Sequence, residues 1–538
     1  MSKRHERSMS HEDGLKHPST KRAKEIDAHP PLEELLEKVN RQKSDQKAAN
    51  VLHWFRSKDI RAEDNRALSE ASKKAKEGSG HLLTCFLWSP KDLEWHGTSP
   101  ARTDFLLESL RILQEQLHGM NIPLVILTAE KRGEKGEKVL EFVREFNIGH
   151  IFANIEYEVD ELRRDIDFVD ELADMQMGAS LHVMHDQTVV EPKALKTGSG
   201  GPLKVFTPYH KAWLAEVAND PELISVVDTP TANDTKAKTD LKDLFSSEIP
   251  KLPESKQFAS TKDRDRIRKL WPAGHDAGIK RLQHFLGKKV KTYKKNRSTP
   301  ATDNSSRLSP YFASGVISVR EALKAAMEAN DGDDFDSGDV GISSWVREIV
   351  FREFYRHMLS ITPHDAMNLP HNLKFDFVQW EDDEEGWKKW CEGKTGMPFV
   401  DAGMRQLREE AYMHNRLRMN TSSYLRTNLL IDYRRGERFF AETLVDWDLS
   451  NNTQGWEPSY TVFNPVVQAE KCDPDGEYIR RWVPELKDVK GKAVFDPHSR
   501  LSKEAFEKLG YPAPHVDFKE SKDRCIQRYK QDMADADP

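Results

Sequence analysis

From residue 51 the chain alternates short apolar runs with stretches of helical spacing. Val51-Leu-His-Trp-Phe55, Leu82-Leu-Thr-Cys-Phe-Leu-Trp88, Pro123-Leu-Val-Ile-Leu-Thr128 and His150-Ile-Phe-Ala-Asn154 are the apolar runs. Between them lie a helical stretch around Leu68, a long one over Ser99–His118 and another over Lys138–Phe146. Strands separated by helices of this length predict βαβ crossovers and an open parallel sheet. Past residue 262 the period becomes helical throughout, as in Trp345, Ile349, Phe351, Phe354 and Met358. The fold class expected is α/β: an N-terminal open parallel-sheet domain over 49–180, then an all-helical domain over 261–530.

The flanking segments read differently. Residues 1–48 are polar, charged and poor in aromatics, and so predict a disordered basic tail. Residues 181–260, rich in Pro, Thr, Lys, Asp and Gly, read as a long connector. Thr197-Gly-Ser-Gly-Gly-Pro202 lacks the ending of a phosphate loop and is expected to be a plain loop. The acidic Asn330–Asp339 stretch lacks the closing glutamate of a calcium loop and reads as a solvated turn. No nucleophile elbow or paired-histidine zinc motif is present, so hydrolytic chemistry has little support.

Composition narrows the class further. The 538 residues, 37% apolar and 32% charged, suit a multidomain globular chain. The apolar runs fall far short of the roughly 20 residues that cross a bilayer. Four cysteines, Cys85, Cys391, Cys472 and Cys525, are widely spaced, which predicts neither a disulfide framework nor a zinc site. A net charge of −7 gives no global attraction to nucleic acid, so DNA binding needs a local basic face. Lys3-Arg4 and Lys21-Arg22-Ala23-Lys24 are spaced like a bipartite nuclear import signal, with a solvated basic tail as the alternative. The nucleus is the expected location, with cytoplasm and mitochondrion as further ones.

The most specific region runs from Gly396 to Trp456. It holds Asp401-Ala-Gly-Met-Arg405-Gln, Met413-His-Asn-Arg-Leu-Arg-Met419, Leu429-Leu-Ile-Asp-Tyr433 and Asp446-Trp-Asp-Leu-Ser-Asn-Asn452-Thr-Gln-Gly-Trp456. With Tyr293, Arg297 and Pro300, Ser305-Ser-Arg-Leu-Ser-Pro-Tyr311 and Arg352-Glu-Phe-Tyr-Arg356-His, these blocks resemble the flavin domain of photolyases and cryptochromes. His53-Trp-Phe-Arg56, Asp59, Arg61, Asp64-Asn65 and Leu68 resemble the opening of the same family, closest to its class I cyclobutane-dimer photolyases.

The resemblance implies FAD as cofactor. A dinucleotide flavin carries a diphosphate that needs donors, and the hydroxyls of Ser305, Ser306 and Ser309, with N–H groups at a helix start, can supply them. By resemblance Arg307, Leu308, Trp345 and Arg352 also bind the cofactor, and Tyr293 packs at the adenine-diphosphate side. Asn415 and Arg418 then face the isoalloxazine, Asp446 and Asp448 engage ring or sugar, and Asn452 lies beside flavin N5. Trp456, Tyr433 and Trp380 match an aromatic chain from flavin to surface, with tyrosine in place of the usual middle tryptophan. The resemblance also implies a DNA face. Lys288–Arg297 interleaves positive charge with an aromatic, Arg416 matches a phosphate contact, Glu348 a carboxylate on the lesion bases and Met419 a lesion-packing methionine.

Two positions depart from the family pattern. The tryptophans that flank the lesion in dimer-repair enzymes are Phe351 and Pro458 here, and the chain after Trp456 is about ten residues shorter than the family's. The leading expectation is blue-light, FAD-dependent repair of pyrimidine dimers in DNA by a monomer. The alternatives are a cryptochrome-like photoreceptor acting through protein partners, and a repurposed flavoenzyme. Asn154-Ile-Glu-Tyr-Glu158 resembles the antenna domain of the family, which implies a second pigment, methenyltetrahydrofolate-like or a deazaflavin. No metal is expected.

Overall fold

In the computed structural model, residues 17–42, 50–175, 178–332, 334–534 and 536–538 are described. Five parallel strands, β1 (Asn50–Phe55), β2 (Leu82–Trp88), β3 (Leu124–Thr128), β4 (Ile148–Asn154) and β5 (Ser180–Met184), form one sheet in the order β3-β2-β1-β4-β5. Val51 pairs with Leu82, Leu52 with Ile151 and Cys85 with Val125. Helices cover both faces, so the central strands are apolar almost throughout. The chain begins at β1 and builds outward first to β3, then to β5. The order therefore reverses between β1 and β4, and the crevice outside their carboxyl ends is where an open α/β sheet binds ligands.

The crossover helices start where the sequence signals them. Ser99 caps the Pro100–Gly119 helix by accepting from Arg102 N, with Pro at the first helical position, and Asn65 caps Arg66–Glu77 through Leu68 N. β5 has no counterpart among the expected strands, because Ser-Leu-His-Val-Met lacks a sustained apolar run.

Two expectations are corrected. The tail expected to be disordered holds two helices, Thr20–Ala28 and Pro31–Arg41. Few apolar residues suffice, because Ala23, Ile26, Leu32 and Leu35 fall on inward faces and Pro31–Arg41 packs on the Val159–Asp174 helix. Lys3 and Arg4 lie outside the described residues. The 181–260 stretch is more than a connector: it carries most of β5 and the Phe206–Asn219 helix. The indole of Trp213 is buried there and donates to Glu353 at 2.8 Å, and Glu353 also accepts from Val189 N and Val190 N. Thr197–Pro202 is a turn closed by a bridge between Lys196 and Pro202.

The rest is helical. Val340–Ile361, capped by Asp339, runs through its centre and packs against Val290–Asn296 and Phe206–Asn219. The Asn330–Asp339 stretch folds around the Asn330 amide, which donates to the carbonyls of Asp334 and Ser337, while Phe335 is buried. Beyond Pro484, expected to be ordinary helix, only short helical turns occur before Phe518–Ala534.

Sheet and helices are locked by buried charge. Arg320 reaches Asp64 at 3.0 Å and Asp186 at 2.7 Å, and Arg61 also pairs with Asp186. Beside this cluster Gly315 has φ +61°, and a Cβ on it would stand 1.7 Å from the Lys58 carbonyl, so only glycine permits the approach.

Candidate functional site

The Asp446-Trp-Asp448 tripeptide enters the Leu449–Trp456 helix and turns its two carboxylates toward different arginines. Arg418 contacts both oxygens of Asp446, at 3.0 and 2.7 Å, and the Ser309 hydroxyl donates to it at 2.6 Å. Arg356 donates to Asp448 at 2.6 Å, while the other Asp448 oxygen accepts from Asn451 N and caps the helix. Burial raises the Asp448 carboxyl, yet Arg356, Lys58 and Arg352 outweigh it and hold it well below the usual carboxylate range. Both carboxylates are thus fixed by arginine, and Asp448 is held ionised.

Arg352, one turn before Arg356, differs. It donates only to the carbonyls of Gln187 and Phe312, at 3.0 and 3.1 Å, and pairs with no carboxylate among the described residues. Burial, with Arg356 beside it, pushes it down to about 9. A cation left short of countercharge here suits a diphosphate. Ser305, Ser306, Arg307 and Leu308 form the loop ahead of the Ser309–Ala313 helix; Arg307 adopts φ +51° and reaches Asp303 at 3.0 Å and Glu410 at 3.4 Å. The donor set therefore fits a flavin dinucleotide: hydroxyls and one uncompensated arginine for phosphate, fixed carboxylates for ring or sugar donors.

The remaining expected residues sort by position. Asn452 Nδ2 donates to the Glu437 carbonyl at 3.1 Å, which fixes the amide plane. Asn415 opens the Asn415–Ser423 helix and is exposed. Trp345 and Tyr293 are buried, both packed on Phe285, at 5.1 and 5.5 Å between ring centroids. On the rim Arg297 is ion-paired with Glu348, and both are about one-third exposed. Arg416 donates to the Ser298 hydroxyl at 3.1 Å and lies over the Met419 sulfur at 3.8 Å. Phe351 packs on Phe206 at 4.1 Å, a contact that only the folded connector makes. Pro458 is buried.

The aromatic chain is only partly in ring contact. Tyr433 and Trp380 lie 6.1 Å apart. The rings packed on Trp456 among the described residues are Phe440, at 4.9 Å, and Trp390, at 6.1 Å. Gly436 lets the Tyr433–Ala441 helix press on the Trp456 indole, since a Cβ there would meet it at 2.2 Å.

Sequence reasoning did not single out the cavity of about 140 Å³ at the carboxyl ends of β1, β2 and β4. Trp54, Arg56, Lys58, Trp88, His96, Arg102, Glu156, Glu158, Glu161, Arg164 and Trp447 line it. Arg56 Nε and Nη1, His96 Nε2, Arg102 Nη1, Glu158 Oε2, Glu161 Oε2 and Trp447 Nε1 are buried there without hydrogen-bond partners among the described residues. Burial, then Glu156 and Glu158, push the Glu161 carboxyl up to about 7, and burial lowers His96 to about 4. So many unmet polar atoms at the switch point mark a second ligand site. Glu156 and Glu158, inside the quoted Asn154–Glu158 block, and Trp447, between the two aspartates, were the signals available.

A parallel-sheet domain joined to a helical domain whose buried aspartates and arginines can cradle a flavin defines a flavoprotein architecture. The profile of the FAD binding domain of DNA photolyase matches residues 345–531, and that of DNA photolyase matches 51–230. The deoxyribodipyrimidine photo-lyase of Neurospora crassa is 39% identical over 505 residues, covering 90% of this chain and 82% of that protein. The Escherichia coli enzyme of the same name is 33% identical, covering 89% of this chain and 98% of that protein. A bacterial class III photolyase structure from Agrobacterium tumefaciens superposes with a TM-score of 0.75 at 30% identity, over 92% of this chain and 99% of that one. The chain belongs to the DNA photolyase/cryptochrome family, and its helical domain is the family's FAD-binding domain.

Proposed function

We propose that this chain is a deoxyribodipyrimidine photo-lyase: it binds FAD and uses blue light to split cyclobutane pyrimidine dimers in DNA. The observation that carries the reading is the matched cradle of Asp446, Asp448, Arg418 and Arg356 with the uncompensated Arg352 beside it. FAD, when bound, supplies the photoexcited electron that enters the dimer, opens the cyclobutane ring and returns. The chain's own residues do the rest. Arg352 and the Ser305–Ser309 loop would hold the diphosphate, Asp446 and Asp448 would orient ring and sugar, and Asn452 would offer its amide to the flavin ring. Glu348 and Arg297 sit at the rim, where carboxylate can accept from the dimer bases and guanidinium can reach phosphate. Phe351 offers one aromatic face, while Pro458 offers none.

A second reading, a photoreceptor that signals to protein partners, is favoured by the loss of both lesion-flanking tryptophans. The cavity at the sheet switch point is the place for an antenna pigment, folate-like or deazaflavin, whose heteroatoms would satisfy Arg56, Glu161 and His96. The sheet over 49–180 then collects light and the helices over 261–530 use it. No helix among the described residues is long and apolar enough to cross a membrane. Nuclear import of a monomer is the reading for the two basic clusters, of which Lys21–Lys24 lies on the first helix.

The test mixes the FAD-loaded protein with one oligonucleotide carrying a thymine cyclobutane dimer and one without. Tighter binding to the first, and dimer loss in blue light only, support repair. Bound FAD with equal affinity for both and a persistent dimer support the photoreceptor.

A further inference from the structure

Tyr433 stands in the middle of the expected aromatic chain but is poorly placed to pass a hole. It is buried, its hydroxyl has no hydrogen-bond partner among the described residues, and its ring is not among those packed on Trp456. A phenol must give up its O–H proton on oxidation, because the protonated radical is a strong acid. Here no carboxylate or imidazole is hydrogen-bonded to take that proton.

A second route starts from the same Trp456. Trp390 lies 6.1 Å from it in an edge-on arrangement, and Trp387 stacks on Trp390 at 5.5 Å with 20° between the planes. Both sit on the Glu384–Glu392 helix, and Phe439 packs against both, which fixes their geometry. Trp390 is fully buried, whereas Trp387 is partly exposed. An oxidised indole can keep its N–H proton for the time of a hop, and the Trp390 N–H stays bound to the Thr421 carbonyl at 3.0 Å. An arginine lies over each branch, Arg434 over Tyr433 at 5.0 Å and Arg435 over Trp387 at 4.4 Å, so nearby cations do not separate them. Ring contact and the proton do.

We propose that Trp390 and Trp387 form the electron relay that refills Trp456 during photoreduction of bound FAD, in place of Tyr433 and Trp380. The proposal rests on the flavin reading above. One electron leaves the Trp456 indole toward the flavin. Trp390 refills Trp456, Trp387 refills Trp390, and a thiol in solution refills Trp387. Each thiol molecule gives one electron and its proton and ends as half of a disulfide. The Trp387 indole, at the surface, can meanwhile exchange its N–H proton with water.

The test uses the FAD-loaded protein with a thiol reductant. Flavin content is read from the absorption spectrum, the tryptophan radical from transient absorption after a flash, and flavin bleaching under steady light. Trp387→Phe, at the exposed end, should retain flavin, shorten the lifetime of the radical and slow bleaching roughly tenfold. Trp390→Phe should do the same, and Tyr433→Phe should change bleaching by less than about twofold. Full-rate bleaching in Trp387→Phe, or a loss in Tyr433→Phe as large as that in Trp387→Phe, overturns the relay. Absence of flavin from the unmodified protein would overturn the flavin reading instead.

Discussion

The pair of aspartates flanking Trp447 and the acidic residues around the sheet cavity are both withdrawn from water, yet they are balanced differently. Asp446 and Asp448 each meet an arginine at hydrogen-bond distance, and Asp448 stays ionised against the cost of burial. In the cavity, Glu158 pairs with Lys58 through one oxygen and Arg56 with Asp165 through one nitrogen, but Glu158 Oε2, Glu161 Oε2 and Arg56 Nε and Nη1 have no hydrogen-bond partner among the described residues, and Glu161 is driven toward its neutral form. A matched charge network is complete before ligand binds and preorganises the place where chemistry happens. An unmatched one is a place that a ligand completes. On the proposed reading, the difference separates the flavin centre from an accessory pigment site within one chain.

The largest effect should come from breaking the matched network. Asp448→Ala strands Arg356 and removes a helix cap, so it should cost about 3–5 kcal/mol and lower the melting temperature sharply. A loss no greater than that of Glu158→Gln would erase the distinction between the two regions. Next, Arg352→Met removes a cation that makes no direct ion pair with a carboxylate among the described residues. Flavin retention on gel filtration should fall by roughly tenfold, about 1.4 kcal/mol, while the flavin-free protein melts close to the unmodified one.

The cavity gives a pH signature. Glu161 is raised from its ordinary value near 4.5 to about 7 in the folded protein, so the folded state holds the proton more tightly than the unfolded one. Its contribution to stability is present below about 4.5 and is lost as pH rises through about 7. Glu161→Gln, permanently neutral, should therefore raise the melting temperature of the pigment-free protein at pH 8 by ~1–3 °C and leave it unchanged near pH 4. The smallest effect on the fold lies at the rim. The Arg297–Glu348 pair is about one-third exposed, so Arg297→Ala should alter stability by less than ~1 kcal/mol. It should weaken binding to all DNA sequences and flatten the salt dependence by about one unit of slope.

Much of this was legible in the chain, for physical reasons that also explain the gaps. β1 to β4 announce themselves because their residues form sustained apolar runs, as strands of a parallel sheet covered on both faces do, whereas β5, with Ser180 and His182 in five residues, does not. The N-terminal helices were hidden because four apolar contact residues in a polar segment are enough when a neighbouring helix supplies the rest of the surface. The candidates Asp446, Asp448 and Asn452 were legible as a group because the resembling block holds them within seven residues, on the Leu449–Trp456 helix and the turn that leads into it. Arg356 as the partner of Asp448 is a contact across 92 residues and could not be read from spacing. The cavity was hidden for the same reason, since its lining comes from several strand ends and from Trp447. Trp390 meets Trp456, and Trp387 meets Trp390, through packing that sequence spacing does not encode.

The central claim is tested most directly by counting dimers split per bound FAD. The FAD-loaded protein is mixed with a single-dimer oligonucleotide under reducing conditions and compared in blue light, in darkness and after removal and restoration of FAD. The account predicts dimer loss in light only, abolished without FAD and recovered when it is restored. Dimers that persist in light while FAD remains bound and reduced would contradict it.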